Sequence, residues 1–436
     1  MSLLQPSPAS TTFRYRRTAD FTALRLGRAI LGYLAVIVAI ITLAPFRFAS
    51  APVHGLTSLW NWQDLILNVV MFMPFGFVYQ LTRPRGTPFR WPKVLLLGAV
   101  LSGAIEIAQL FAPTRYTSLL DLATNTTGTL LGAWAFNALA ARVRGDAAVR
   151  LLALELPLMG LVYLLVPLCW LIGLGSEAEV RRLLVLGPSV MAGAILGTVH
   201  ASFVRHEPGG GPRRFTPPPR GIPWWLVAST LGWSLVALVP GARGDLSVIV
   251  SGTLLTLASG FLRDIGTRRI VRAGGSRRLE LPTLRMVLPI FAAYLALSAL
   301  WPLTDATPVW HGALALTLPG VPLSQPLVYR ALEQVAAFTL VGYMGAEYHG
   351  REDTNGGTGV LRLAFWSGVA AVLLQAARGF HESHGASLSL LVLTQIAGVF
   401  GQWVYILQRA HVQALVKRRA LLERLRQATS MQRAAA

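Results

Sequence analysis

The stretch SGAIEIAQLFAPTRYTSLLDLATNTTGTLLGAW, residues 102–134, decides how this chain is interpreted. Its pattern predicts two apolar helices joined by a short turn that contains Arg115. Polar side chains interrupt both apolar runs, namely Glu106, Gln109, Asp121 and Asn125. A carboxylate inside a bilayer is costly and is usually retained for a function, so a functional site is expected here.

The composition is that of an integral membrane protein. The mean hydropathy is +0.53, and 13% of the 436 residues are charged. Apolar runs recur that approach the roughly 20 residues a helix needs to cross a bilayer. The predicted fold is therefore an all-α, polytopic membrane bundle of about twelve transmembrane helices. The predicted spans are 30–46, 64–81, 94–111, 119–141, 151–174, 183–204, 222–239, 246–262, 283–300, 327–349, 361–380 and 387–408.

Positive charge predicts the orientation of the bundle. If the N-terminus is cytoplasmic, 32 of the 39 Lys and Arg residues fall on the cytoplasmic side. Cytoplasmic loops of membrane proteins are enriched in Lys and Arg, so both termini are predicted to be cytoplasmic. The net charge of +20 then belongs to these loops, and nucleic acid is not expected as a partner. The single cysteine, Cys169, excludes an internal disulfide.

The spans group into five predicted segments. In order, these are an N-terminal membrane domain (1–150), a helical pair (151–205), a Gly- and Pro-rich cytoplasmic linker (206–221), a second helical pair with a basic loop (222–281) and a C-terminal helical domain with a basic tail (282–436). An ungapped shift of 269 positions aligns spans two to four with spans ten to twelve, and Trp134 with Trp403. The last domain is therefore predicted to be a degenerate copy of the first, a kind of repeat that is common in membrane folds.

Six polar residues form three pairs at helical spacing, and each pair shares one helix face. By the predicted orientation, all three pairs lie near the outer ends of their helices, with Arg115 in the short turn above them. We therefore expect an outward-facing pocket. Its predicted residues are Asp64, Asn68, Glu106, Gln109, Arg115, Asp121 and Asn125.

Three carboxylates in such a pocket would repel one another. Either Arg115 neutralises part of the charge, a cation binds, or one carboxylate stays protonated. In a purely structural interpretation, Asp64 and Asp121 stabilise helix N-termini and Asn125 links helices. Glu106 has no such structural explanation, which favours a functional role. No catalytic residue can be assigned, and no metal or cofactor is expected.

Other residues in these spans predict helix packing. Gly128 and Gly132 have the GxxxG spacing of a close helix crossing. Pro74 interrupts the hydrogen bonding of the second span, and Gly76 would permit a bend there.

In these residues the chain resembles the VanZ-like family of bacterial membrane proteins. The resemblance rests on three segments within about residues 28–142: Asn68, Phe72, Pro74, Phe75 and Gly76; then Glu106, Gln109 and Arg115; then Asp121, Asn125 and Gly128. It implies a multi-pass protein of the bacterial cell membrane. The family's namesake is linked to low-level resistance to teicoplanin, a glycopeptide that acts outside the cell membrane. The resemblance therefore implies a role in the cell envelope.

Three kinds of function are compatible with these features. The first is an envelope factor that binds a membrane lipid, or a lipid-linked or cell-wall component, in the pocket. The second is an enzyme on a lipid-linked substrate, with Glu106 as acid or base and Asp64 or Asp121 as its partner. The third is a transporter, which the repeat and the kinked helix favour. The position of the polar set near one face favours the first.

The charge pattern makes a testable prediction about topology. A fluorescent reporter fused after residue 285 or at the C-terminus should fluoresce in the cytoplasm. A phosphatase reporter at those positions should be inactive, and one fused after Arg243 should be active because that loop is predicted to be outside. Phosphatase activity at the C-terminus would show that the span count or the direction is wrong.

Overall fold

A computed structural model describes most of the chain. The described residues are 8–53, 61–81, 83, 89–142, 157–176, 179–205, 223–272, 280–301, 303–313, 324–349, 358–382 and 385–435. They contain twelve long helices: α1 (Pro8–Leu43), α2 (Trp62–Leu81), α3 (Trp91–Gln109), α4 (Leu119–Arg142), α5 (Pro157–Leu174), α6 (Leu186–Arg205), α7 (Trp224–Gly241), α8 (Leu246–Arg272), α9 (Glu280–Leu300), α10 (Gln325–His349), α11 (Thr358–Arg378) and α12 (Leu388–Ala435). Two short strands, β1 (Gly312–Ala313) and β2 (Ala386–Ser387), pair in parallel.

The predicted fold class, an all-α membrane bundle, is confirmed, and each predicted span overlaps one of the helices. Within the described residues, eight helices are long and apolar enough to cross a membrane: α1, α2, α3, α6, α7, α8, α9 and α12. A shorter apolar helix, Leu158–Leu174, lies within α5. Polar residues inside α4, α10 and α11 dilute their apolar character, which is where the remaining predicted spans lie.

Two helices extend well beyond the bounds predicted for their spans. α12 continues to Ala435, so the predicted basic tail prolongs the helix. α1 begins at Pro8, and Thr22 Oγ1 lies 3.1 Å from His411 Nδ1 where the two helices run side by side. The predicted linker 206–221 and the boundary predicted at residue 150 lie outside the described residues.

α5 forms the centre of the bundle. It packs against α10, α7 and α6, and its side chains from Leu158 to Ile172 are almost all buried. A helix that is apolar on every side is buried by other helices. The core around α5 joins residues of α1, of the middle helices and of α9, α10 and α12.

In three helix pairs, backbone lies directly against backbone: α2 on α4, α6 on α8, and α10 on α12. A Cβ atom added to the glycines at these crossings would overlap a backbone carbonyl of the facing helix. The glycines are Gly76, Gly128 and Gly132 in the first pair, Gly193 and Gly197 in the second, and Gly342 and Gly401 in the third. Small residues allow membrane helices to approach this closely. α2 runs through Pro74 as one helix, and Gly76 lies at the crossing with α4.

The C-terminal helices repeat several features of the N-terminal ones. α3 ends 269 residues before α11 ends, and α4 begins 269 residues before α12 begins. At the same offset, the hydrogen bond from Leu110 N to Glu106 O (3.1 Å) recurs from Gly379 N to Gln375 O (3.1 Å). These likenesses support the predicted repeat.

Helix α10 departs from that offset. Gly76 of α2 lies against Thr129 of α4, and Gly342 of α10 lies against Gly398 of α12. Gly398 follows Thr129 by 269 residues, but Gly342 follows Gly76 by 266. The helix crossings therefore displace α10 by three residues from the ungapped alignment.

The glycine crossings predict opposite effects for two identical substitutions. Gly132→Ala should destabilise the protein by about 1–3 kcal/mol, because the new methyl group overlaps Met73 O. Gly32→Ala should be neutral or stabilising by up to about 1 kcal/mol, since no atom lies within 4 Å of its Cβ. Thermal unfolding of the full-length protein in detergent measures both. Equal stabilities of the two variants would contradict the close crossing of α2 and α4.

Candidate functional site

The polar pairs lie at the end of the bundle where α1 finishes. α2 and α4 begin at this end, α3 ends there, and a turn of residues 110–118 joins α3 to α4. α2 packs along α4, and α3 packs against both. Side chains on the facing sides of these three helix ends are therefore brought together.

Asp121 lies at the centre of the acidic residues. Its Oδ1 accepts a hydrogen bond from Asn68 Nδ2 at 2.9 Å, which links α4 to α2. Its carboxylate also interacts electrostatically with those of Asp64 and Glu106. Asp64 is exposed and accepts a hydrogen bond from Asn61 Nδ2 at 3.0 Å.

Glu106 and Asn125 lie deeper between the helices and are 7% and 5% exposed. Glu106 Oε2 accepts a hydrogen bond from the backbone N–H of Ser118 at 2.9 Å. Asn125 Nδ2 donates to Ser102 Oγ at 2.9 Å, and Asn125 Oδ1 has no hydrogen-bond partner among the described residues. Polar groups thus descend from the exposed Asp64 to the buried Asn125.

Five of the seven predicted site residues gather here, and we call them the acidic cluster: Asp64, Asn68, Glu106, Asp121 and Asn125. In the part of the chain that the structure describes, the ion pairs involve other residues. That part also contains no group of three His, Cys, Asp or Glu side chains placed to hold a metal ion. The acidic cluster is therefore negatively charged, with hydrogen bonds but no ion pair.

Arg115 lies apart from the acidic cluster and forms no ion pair with its carboxylates. Its Nη2 lies within hydrogen-bond distance of Ile41 O and Ala44 O, both at 3.1 Å, and of Tyr329 Oη at 3.1 Å. The last carbonyls of a helix lack partners within the helix and carry partial negative charge, so a guanidinium stabilises them. Arg115 therefore caps the end of α1 and links it to α10.

Gln109 also faces α1. Its Nε2 donates to Thr42 O at 3.1 Å. Its Oε1 is buried and has no hydrogen-bond partner within the described ranges. The predicted site thus divides into the acidic cluster and two side chains that hold the end of α1.

Sequence reasoning missed some of the partner residues. Ser102 lies one helical turn before Glu106, so its spacing could have indicated that it faces the same helices. Tyr329 lies 214 residues from Arg115, and no local pattern could have indicated that contact.

Residues 10–140 match the family model of VanZ/LLP1. This part of the chain is VanZ-like. The matched region, the VanZ-like unit, contains the whole acidic cluster together with Gln109 and Arg115, and it confirms the resemblance predicted from the motifs. Together with the apolar helices, the match supports a VanZ-like membrane protein. No curated protein and no solved structure matches the chain significantly.

The C-terminal helices contain a neutral counterpart of the buried acid in the VanZ-like unit. Ser387 N donates to Gln375 Oε1 at 3.3 Å, as Ser118 N donates to Glu106 Oε2 at 2.9 Å. Both residues of the second pair follow those of the first by 269 positions. Gln375 Nε2 also donates to Gln334 Oε1 at 3.2 Å. A glutamine therefore makes the backbone contact of Glu106 without its charge.

The position of Arg115 makes a quantitative prediction. Arg115→Ala should lower the stability of the full-length protein by about 2 kcal/mol, because the carbonyls of Ile41 and Ala44 lose a charged donor. The same substitution in an Asp121→Asn background should cost the same, since Arg115 forms no ion pair with the acidic cluster. A double-mutant cycle from unfolding in detergent should give a coupling below about 0.5 kcal/mol. A larger coupling would show that Arg115 neutralises the carboxylates after all.

Proposed function

We propose that the VanZ-like unit is the ligand-binding part of a multi-pass membrane protein that acts in the cell envelope. The ligand is a lipid-linked or cell-wall component whose polar headgroup enters a pocket formed by the acidic cluster. One observation carries this proposal: Asp64, Asp121 and Glu106 converge at one end of three helices with no ion pair among the described residues. Carboxylates in membrane helices are rare and usually functional.

The predicted topology supports an outward-facing pocket. With a cytoplasmic N-terminus, α1 ends at the outer face of a bacterial cell membrane, and the acidic cluster lies at the same end. A ligand of the outer leaflet or of the cell wall would reach the cluster from that side. Such a role is also compatible with resistance to teicoplanin, which acts outside the membrane.

The helix packing below the cluster favours binding at one face over transport through the VanZ-like unit. Gly128 and Gly132 bring α4 against the backbone of α2, within two turns of Asn125. Gly98 of α3 lies against Thr129 of α4 at the same level. A transport path between these helices would have to separate backbones that are in direct contact. Catalysis by Glu106 on the same ligand is the alternative, and it predicts turnover in addition to binding.

The test uses the full-length protein in nanodiscs, with a polyprenyl-diphosphate-linked muropeptide as the probe. Glu106→Gln should weaken binding of this probe about tenfold, or about 1.4 kcal/mol, because the charge is lost while the shape is kept. The fold should survive, since Gln375 makes the equivalent backbone hydrogen bond in the C-terminal helices. Glu382→Gln is the matched control, because Glu382 is exposed and lies outside the acidic cluster.

Equal binding by the wild-type protein and Glu106→Gln would contradict the proposal. A cleaved or transferred product that requires Glu106 would favour the enzyme instead. In a host that the wild-type protein makes more resistant to teicoplanin, Glu106→Gln should remove the added resistance and Glu382→Gln should retain it.

A further inference from the structure

The acidic cluster has negative charge that no cation of the described residues balances by an ion pair. The arginine expected to do so, Arg115, instead contacts the carbonyls at the end of α1. Asp121 is half-buried and Glu106 is buried, so water screens their repulsion less than it would at an open surface. A positively charged ligand group would relieve this repulsion.

The hydrogen-bonding groups of the cluster point to the same kind of ligand. Its donors are already used: Asn68 Nδ2 binds Asp121, Asn125 Nδ2 binds Ser102, and the N–H of Ser118 binds Glu106. Among the described residues, the buried Asn125 Oδ1 is left as an acceptor without a partner. The cluster therefore offers acceptors to a ligand, and the ligand has to supply the donors.

The spacing of the carboxylates distinguishes an organic cation from a metal ion. Asp64, Asp121 and Glu106 interact through their charges, yet no three acidic, His or Cys side chains of the described residues are close enough to share one metal ion. A primary ammonium is better suited to such a site, because its three N–H donors can each reach a different acceptor and water can complete the set.

We propose that the acidic cluster recognises a primary ammonium group on its ligand. This inference rests on the proposed function and names the chemical class of the group that enters the pocket. Primary ammonium groups occur on lipid headgroups, such as ethanolamine, and on the peptides of cell-wall precursors, such as the lysine side chain. The chemistry that the cluster recognises is the same in both.

Two isosteric substitutions remove charge and keep the local hydrogen bonds. Glu106→Gln can still accept from the Ser118 N–H, as Gln375 accepts from the Ser387 N–H. Asp121→Asn can still accept from Asn68 Nδ2 through its amide oxygen. Both variants should therefore fold, and matching thermal unfolding curves would verify it.

The experiment compares two forms of one probe on the full-length protein in phosphatidylglycerol nanodiscs. The probe is a polyprenyl-diphosphate-linked muropeptide with a free lysine amine, or the same molecule with that amine acetylated, which removes its charge. Acetylation should weaken binding to the wild-type protein about tenfold. It should change binding to Glu106→Gln or Asp121→Asn by less than about twofold, because the two changes remove the same interaction. The control Glu382→Gln should respond to acetylation as the wild-type protein does.

A competition experiment separates the two sources of the amine. Phosphatidylethanolamine added to the nanodiscs should displace the probe if the site accepts any primary ammonium at the membrane surface. Failure to displace it would assign the site to the peptide amine.

Each outcome bears on a different statement. If the acetylated probe binds as tightly as the free amine and Glu106→Gln weakens both forms, the ammonium inference is overturned and the proposed function stands. If neither form binds the wild-type protein, the proposed function fails and the inference fails with it.

Discussion

The direct contact of α2 with α4 is the constraint on which the acidic cluster depends. Gly76, Gly128 and Gly132 let the two backbones touch, and only at this separation can Asn68 of one helix reach Asp121 of the other at 2.9 Å. In lipid there is no hydrophobic force between helices, so close packing of small residues holds them together. The same arrangement joins α6 to α8 and α10 to α12, which makes it the recurring joint of the bundle.

The contacts of Arg115 set the electrostatics of the cluster. A guanidinium in the turn between α3 and α4 could pair with carboxylates or with helix-end carbonyls, and it takes the carbonyls of Ile41 and Ala44. One side chain thereby stabilises the end of α1 and ties it to α10 through Tyr329. The carboxylates keep their charge as a consequence. That charge is what makes a cationic ligand group the natural complement of the cluster.

The C-terminal helices offer a natural comparison for the buried glutamate. Gln375 has the same backbone partner that Glu106 has, at the same place in the turn, and it bonds to the amide of Gln334. The local geometry therefore does not require the carboxylate. What differs between the two positions is the charge, so the charge of Glu106 is explained better by a ligand than by folding.

The sequence by itself determined the class of the fold, the order of the helices and most of the site. Apolar runs interrupted by polar residues placed α2, α3 and α4 within a few residues of their observed ends, since a helix in lipid has to satisfy its own backbone and needs a minimum length. Helical spacing then brought Asp64, Asn68, Glu106, Asp121 and Asn125 to one end of the bundle.

The tertiary structure decided the direction in which side chains at that end are turned. Arg115 and Gln109 lie as close in sequence to the carboxylates as the other site residues, yet both face α1. The displacement of α10 by three residues is likewise visible only at its crossing with α12. The reason is the same in both cases: a polar group or a glycine can be matched by several partners, and only packing between distant segments selects one of them.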